Sequence, residues 1–220
     1  MSYQAYTMKK ISLLVLVLFF IPAPGHASLA TAVEEHYKTL QSWRADFIQT
    51  TFIEILNDNI EKKGTIAVLR PDKIHIEYQN PKKVYVSDGK KLWIYKYDVT
   101  AWEFNQPKKI ISEEALSFLS GLKNLSTLFD VIENPDEPEG SLKIKNHQLK
   151  KISLVPKDKN SAVLKITLGV DAHNQVKEAV LFNVSGNVSH YEFRDISPNA
   201  RLDTQLFTLP DKKNRKIIKK

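Results

Sequence analysis

Between Trp43 and Phe104 apolar and polar residues take turns along the chain. Trp43, Ala45 and Phe47 alternate with polar neighbours, and strand-like segments follow at Thr65–Leu69, Ile74–Tyr78, Val84–Val86, Leu92–Tyr95 and Ala101–Phe104. A period of two is the mark of a strand with one buried face. Pro71-Asp72, Asn80-Pro81 and Asp88-Gly89 separate these segments as turns. Asp88-Gly89 predicts a two-residue hairpin, because such a turn demands positive φ angles that this pair tolerates. The texture returns at Lys151–Val155, Ala162–Val170, Val176–Val184 and Val188–Ile196, with a short last strand expected around Leu206–Leu209. Ala162-Val163-Leu164 and Ala179-Val180-Leu181-Phe182 are apolar on successive residues, a pattern of strands buried on both faces.

Helical spacing interrupts the strands. Leu29, Val33, Tyr37 and Leu40 predict one amphipathic helix over residues 29–41. Ile111, Ala115, Phe118, Leu119 and Leu122 form the apolar side of a second. Ser112 is a suitable N-cap for it, Glu113 and Glu114 suit the positive end of the helix dipole, and Gly121 can close it. Leu125, Leu128 and Phe129 suggest a further short turn of helix, and residues 134–140 form an acidic loop. About ten short strands with this few helices imply a sandwich or a curved, partly closed barrel, with the helices over one open mouth.

The first 27 residues follow a different rule. Lys9-Lys10 precede an unbroken apolar run from Ile11 to Ile21, then Pro22, Pro24 and Gly25-His26-Ala27. A basic start, a short apolar core and small residues at its end describe a cleavable secretory signal peptide. Met8 is an alternative start, and cleavage is expected after Ala27. The run is too short to cross a bilayer, which takes about 20 residues. Residues 28–220 then read as a single domain with a basic C-terminal tail, and the periplasm is the expected destination.

Composition changes the picture only by exclusion. With 42% hydrophobic and 26% charged residues, the 220-residue chain has material for one sizeable core. It has no cysteine, hence no disulfide, no thiolate metal site and no lipid-bearing cysteine of its own. The formal charge of +7 falls by the two lysines of the signal peptide. Its excess gathers at Lys212, Lys213, Arg215, Lys216, Lys219 and Lys220, read as a solvated, frayed end. An exported protein seldom meets nucleic acid, so none is expected as a partner. His36, His75, His147, His173 and His190 follow no zinc spacing, and no nucleophile elbow or phosphate loop is present. Neither metal, cofactor nor enzymatic activity is expected.

From Gly64 the chain reads Gly-Thr-Ile-Ala-Val-Leu-Arg-Pro, then Ile-His-Ile-Glu-Tyr-Gln-Asn-Pro, then Val-Ser-Asp-Gly-Lys-Lys-Leu-Trp-Ile-Tyr, and ends at Trp102-Glu103-Phe104. Phe47-Ile48-Gln49 lies before it, and Asn199, Leu202, Phe207 and Pro210 follow it. This order resembles the LolA family of periplasmic outer-membrane lipoprotein carriers over nearly all of residues 28–220. The resemblance implies a mainly β fold: an incomplete antiparallel β-barrel of about ten or eleven strands with short helices as a lid over an apolar cavity. It implies triacylated lipoproteins as cargo, an ATP-driven inner-membrane exporter as donor and an outer-membrane lipoprotein of similar fold as acceptor. A soluble monomer suits such a shuttle.

The resemblance also assigns Arg70 to hydrogen-bond lid carbonyls. An arginine just before a proline at a strand end can fan several donors towards helix-end carbonyls, which lack intrahelical partners. Read without the resemblance, Arg70 is a surface arginine paired with an acid. The candidate lipid-contacting residues are Ile74, Ile76 and Tyr78 on one strand face, Val84 and Val86, Leu92 and Ile94, and Leu116, Phe118 and Leu119 from the lid helix. Ordinary core packing explains each position equally well. The chain departs from the family pattern at Ile74 and Ile76, where aromatic residues are common, and at Glu114-Ala115, where a proline is. Two further readings stay open: a similar barrel carrying another amphiphile (a glycolipid or a pigment or polyketide precursor), and a non-lipid module such as a sensor domain or hydrolase.

Overall fold

The computed structural model describes residues 28–96, 100–105, 122–136 and 142–220. The signal peptide and the helix expected at 112–121, with Leu116, Phe118 and Leu119, lie outside these residues. Helix α1 (Leu29–Thr39) starts where the Ser28 hydroxyl accepts the Thr31 N–H at 3.1 Å, and it buries Ala30, Val33 and Tyr37. Twelve strands then build one open sheet: β1 (Ser42–Ile53), β2 (Asp58–Leu69), β3 (Lys73–Tyr78), β4 (Lys83–Ser87), β5 (Leu92–Tyr95), β6 (Thr100–Phe104), β7 (Phe129–Glu133), β8 (Lys150–Pro156), β9 (Val163–Val170), β10 (Val176–Asn183), β11 (Val188–Pro198) and β12 (Lys216–Lys219). Their order is β12-β6-β5-β4-β3-β2-β1-β11-β10-β9-β8-β7. All pairs are antiparallel except β12 on β6. The short helix α2 (Leu125–Leu128) leads into β7.

Strands from both wings contribute to one inner cluster. It joins Tyr85 and Leu92 of β4 and β5 to Ile152, Leu168 and Leu181 of β8, β9 and β10, with Phe47, Ile66 and Tyr191 between them. The sheet therefore curls around its concave face without closing: among the described residues, the outer strands β12 and β7 do not pair. This is an incomplete barrel, as expected, with one or two strands more than the sequence indicates.

The differences have local causes. β1 and β2 pair along their full length, but β3 pairs β2 only from Gly64 to Leu69. The remaining stretch, Asp58–Lys63, runs past the end of β3 as an arm exposed to water, paired only with β1, so it carries no apolar alternation to read. Ser87 pairs with Leu92, so the hairpin is a four-residue loop rather than a two-residue turn. Gly89 takes φ +92°, and the Asp88 carboxylate accepts the N–H groups of Lys90 and Lys91, each at 2.8 Å. Phe129 opens β7 instead of ending a helix. The strand expected at Leu206–Leu209 is a 3-10 turn, Thr204–Phe207, that buries Phe207 completely. Leu164 is exposed, so β9 is not covered on both sides there.

Among the described residues, two segments of extended chain cover parts of the convex face. The tail read as frayed forms β12, and Leu209 and Ile217 pack on Val84, Val86, Trp93, Tyr95 and Ala101. Arg215 Nε donates to the Pro210 carbonyl at 2.9 Å, and its guanidinium lies 4.4 Å from the Tyr95 ring centroid. A second cover, residues 142–149, places Ile144 and Leu149 on Val180, so β10 is buried on both faces as its apolar run indicates. Glu178 pins this cover. Its carboxylate accepts the backbone N–H groups of Lys145 (2.7 Å) and Asn146 (3.1 Å) and lies 2.8 Å from His190 Nε2.

Burial by itself raises the Glu178 pKa. The His190 ring and the two backbone N–H groups favour the carboxylate more strongly, so the value lies below the ordinary 4.5. Ionised Glu178 thus contributes stability that is present above the ordinary carboxylate pKa and is lost as pH falls through the depressed one. Glu178→Gln is expected to lower unfolding stability at neutral pH by about 1–3 kcal/mol. Urea unfolding across a pH series should show the gap to wild type narrowing below pH 4.5. A gap that stays constant into acid would exclude this role.

Candidate functional site: the concave face

Alternation within each strand decides which residues reach the concave side. Phe47 and Ile66, Ile74 and Ile76, Tyr85, Leu92, and Tyr191 with Phe193 form its buried floor. Tyr78 and Ile94 pack against that floor while remaining partly accessible. Its aromatic members make a continuous band. Ring centroids lie 5.2 Å apart for Phe47–Tyr78, 6.3 Å for Tyr78–Tyr85, 6.1 Å for Phe47–Tyr191 and 6.3 Å for the stacked pair Tyr191–Phe193. Gly64 makes the band possible. A Cβ there would sit 2.4 Å from the Glu77 carbonyl oxygen and 2.5 Å from Phe47, so only glycine leaves room for the Phe47 ring.

Of the residues singled out from the sequence, Ile74, Ile76, Tyr78, Leu92 and Ile94 share this face. Val84 and Val86 do not. The register sets Tyr85 opposite Ile76 and Ile94, which turns Val84 and Val86 to the convex side beneath Leu209 and Ile217. Tyr85 takes their place in the candidate lining. Phe47, Tyr191 and Phe193 were not singled out, although each obeys the alternation of its own strand. The missing information was which strands are neighbours: β1 and β11 lie far apart in sequence and adjacent in space.

Helix α1 covers one end of the concave face and is held there by polar contacts as well as by its apolar side. At its start the Ala30 N–H donates to Glu133 Oε1 at 3.1 Å. In its middle the buried Glu34 carboxylate accepts the Ser126 hydroxyl at 2.9 and 3.1 Å. The Tyr37 hydroxyl accepts the Val176 N–H at 3.2 Å, and burial pushes the Tyr37 phenol pKa well up. At its end Arg70 donates to the carbonyls of Tyr37 and Lys38, the latter at 2.9 Å. These are last-turn carbonyls without intrahelical donors, so one guanidinium acts as the C-terminal cap of α1. Among the described residues, no group of three or more His, Asp or Glu side chains is placed to hold a metal ion.

A largely apolar concave face under a tethered helix defines the open, incomplete-barrel class of fold. The model of the family described as outer membrane lipoprotein carrier protein LolA matches residues 38–210, and the chain belongs to that family. It is similar to an outer-membrane lipoprotein carrier protein of Halorhodospira halophila, 24% identical over 199 residues (89% of this chain and 88% of the relative). The carrier protein of Glaesserella parasuis is 30% identical over 200 residues, with 88% of each chain covered. That of Legionella pneumophila is 24% identical over 215 residues, covering 96% of this chain and all of the relative.

Arg70→Leu removes both donors from the end of α1. We expect the hydrogen-bonded amides of its last turn to exchange about tenfold faster, as for a loss of roughly 1–2 kcal/mol of local protection, with the sheet core unaffected. Unchanged exchange in α1 would show that Arg70 does not hold the helix.

Proposed function

We propose that this protein is a periplasmic chaperone that takes the acyl chains of lipoproteins onto its concave face and carries them to an outer-membrane acceptor. The observation that carries this reading is the band Phe47–Tyr78–Tyr85–Tyr191–Phe193, joined to aliphatic Ile74, Ile76, Leu92 and Ile94 under a helix held by polar contacts. Family membership and the names of the relatives support the cargo class. Burying an acyl chain is worth about 0.8 kcal/mol per methylene, so a soluble carrier must offer an apolar surface comparable to the bilayer it replaces. Apolar residues already packed against each other lower the net gain, which keeps the cargo releasable.

In this reading α1 belongs to the lid, and Leu116, Phe118 and Leu119 are the proposed acyl-chain contacts from the second helix expected from the sequence. Tyr85 replaces Val84 and Val86 among the lining residues. Arg70 is the lid-holding residue, because hydrogen bonds to carbonyls exchange with water at low net cost where an equally large apolar contact does not. Residues 1–27 export the chain, an inner-membrane ATP-driven exporter loads it, and an outer-membrane lipoprotein unloads it. The carrier works as a monomer and as a binding protein rather than an enzyme.

The test adds purified protein to spheroplasts that make a labelled triacylated lipoprotein. A soluble complex that survives gel filtration and disappears when the cargo lacks acyl chains is the expected result. In the same system Arg70→Leu should bind cargo yet hand it on poorly to the acceptor membrane. No complex, from a protein that still binds a hydrophobic dye, would redirect the reading to another amphiphile.

A further inference from the structure

Gln49 belongs to the Phe47-Ile48-Gln49 segment and lies two residues beyond Phe47 on the concave side of β1, opposite Lys62 on one neighbour and Tyr191 on the other. It marks a boundary. Towards α1 the face is aromatic and aliphatic; towards the arm it becomes polar, with the Thr51 and Ser189 hydroxyls 2.9 Å apart. Gln49 Nε2 donates to Thr51 Oγ1 at 2.8 Å. Its Oε1 is sealed from solvent and accepts no hydrogen bond. The Thr51 hydroxyl that receives the Gln49 N–H pairs in turn with Ser189, and the Lys62 ammonium lies 5.9 Å from the Tyr78 ring centroid. A buried amide oxygen without a donor is unfavourable in the free protein, and it becomes favourable as soon as a ligand supplies an N–H.

The geometry points to Gln49 as a specificity residue that accepts a hydrogen bond from an amide N–H at the junction of acyl chain and head group in the cargo. The inference rests on the carrier reading above, since it needs acyl chains on the aromatic band. An amide-linked acyl chain brings an N–H to this boundary. An ester-linked chain brings only oxygen lone pairs, which would face the lone pairs of Oε1. Gln49 therefore favours N-acylated lipopeptides over glycerolipids that carry ester links alone, and these are the competing amphiphiles of any membrane the protein visits.

The test is a cycle between protein and ligand. One ligand is a synthetic N-acylated lipopeptide; the other is its depsi analogue, in which that single amide N–H is replaced by an ester oxygen. Wild type should bind the amide form about five- to tenfold more tightly, as one hydrogen bond to an otherwise unpaired buried acceptor predicts. Gln49→Leu should bind both forms alike and still bind a fluorescent fatty acid as wild type does, which also shows that its concave face is intact. Gln49→Glu, which keeps an oxygen acceptor in place, should retain the preference. Equal binding of the two lipopeptides by wild type, or a preference that survives in Gln49→Leu, overturns the assignment and leaves the carrier reading standing. Wild type that binds neither lipopeptide nor fatty acid overturns the carrier reading and this inference with it.

Discussion

A sheet of twelve strands exposes two broad faces, and a chain with this many apolar strand residues must cover both. The two covers differ in kind. On the convex side the cover is apolar packing by chain segments: Leu209 and Ile217 close over Val84, Val86, Trp93 and Tyr95, and Ile144 and Leu149 close over Val180. Glu178 and Arg215 fasten these covers with buried charged groups whose hydrogen bonds would be expensive to leave unmade. The concave side is covered at one end by α1, an element hydrogen-bonded to its neighbours at a few points. Every other feature of the molecule depends on that asymmetry.

Holding α1 by hydrogen bonds has a physical consequence. Apolar contacts that form the inner cluster reward closure in proportion to the area they remove from water. Hydrogen bonds from Arg70 to the last carbonyls of α1, from Ser126 to Glu34 and from Ala30 to Glu133 fix where the helix sits, yet each has a small net worth because water competes for the same groups. The place of α1 and the strength of its packing are thus set by different groups.

Much of the molecule was legible from spacing. Helix α1 and most of the strands follow from the period of their apolar residues, and the double burial of β10 follows from Ala179-Val180-Leu181-Phe182. What was not legible has a common cause. The arm at Asp58–Lys63 is a strand by pairing only, with water on both sides. Phe207 reads as a strand residue, but its burial comes from docking on the convex side of β3 and β4. β12 is charged at Lys216 and Lys219 and resembles any solvated tail until β6 offers its free edge.

The sequence by itself determined which residues of a strand point the same way, because alternation is a property of one extended backbone. It also determined Arg70, placed before a proline at a strand end, as a group with donors to give. Only the tertiary structure decided which of two faces looks inward, setting Tyr85 with Ile76 and Ile94 and turning Val84 and Val86 outward. Inwardness is a property of register between neighbouring strands and of the segment that covers each side. Neither is written in the residues of the strand concerned.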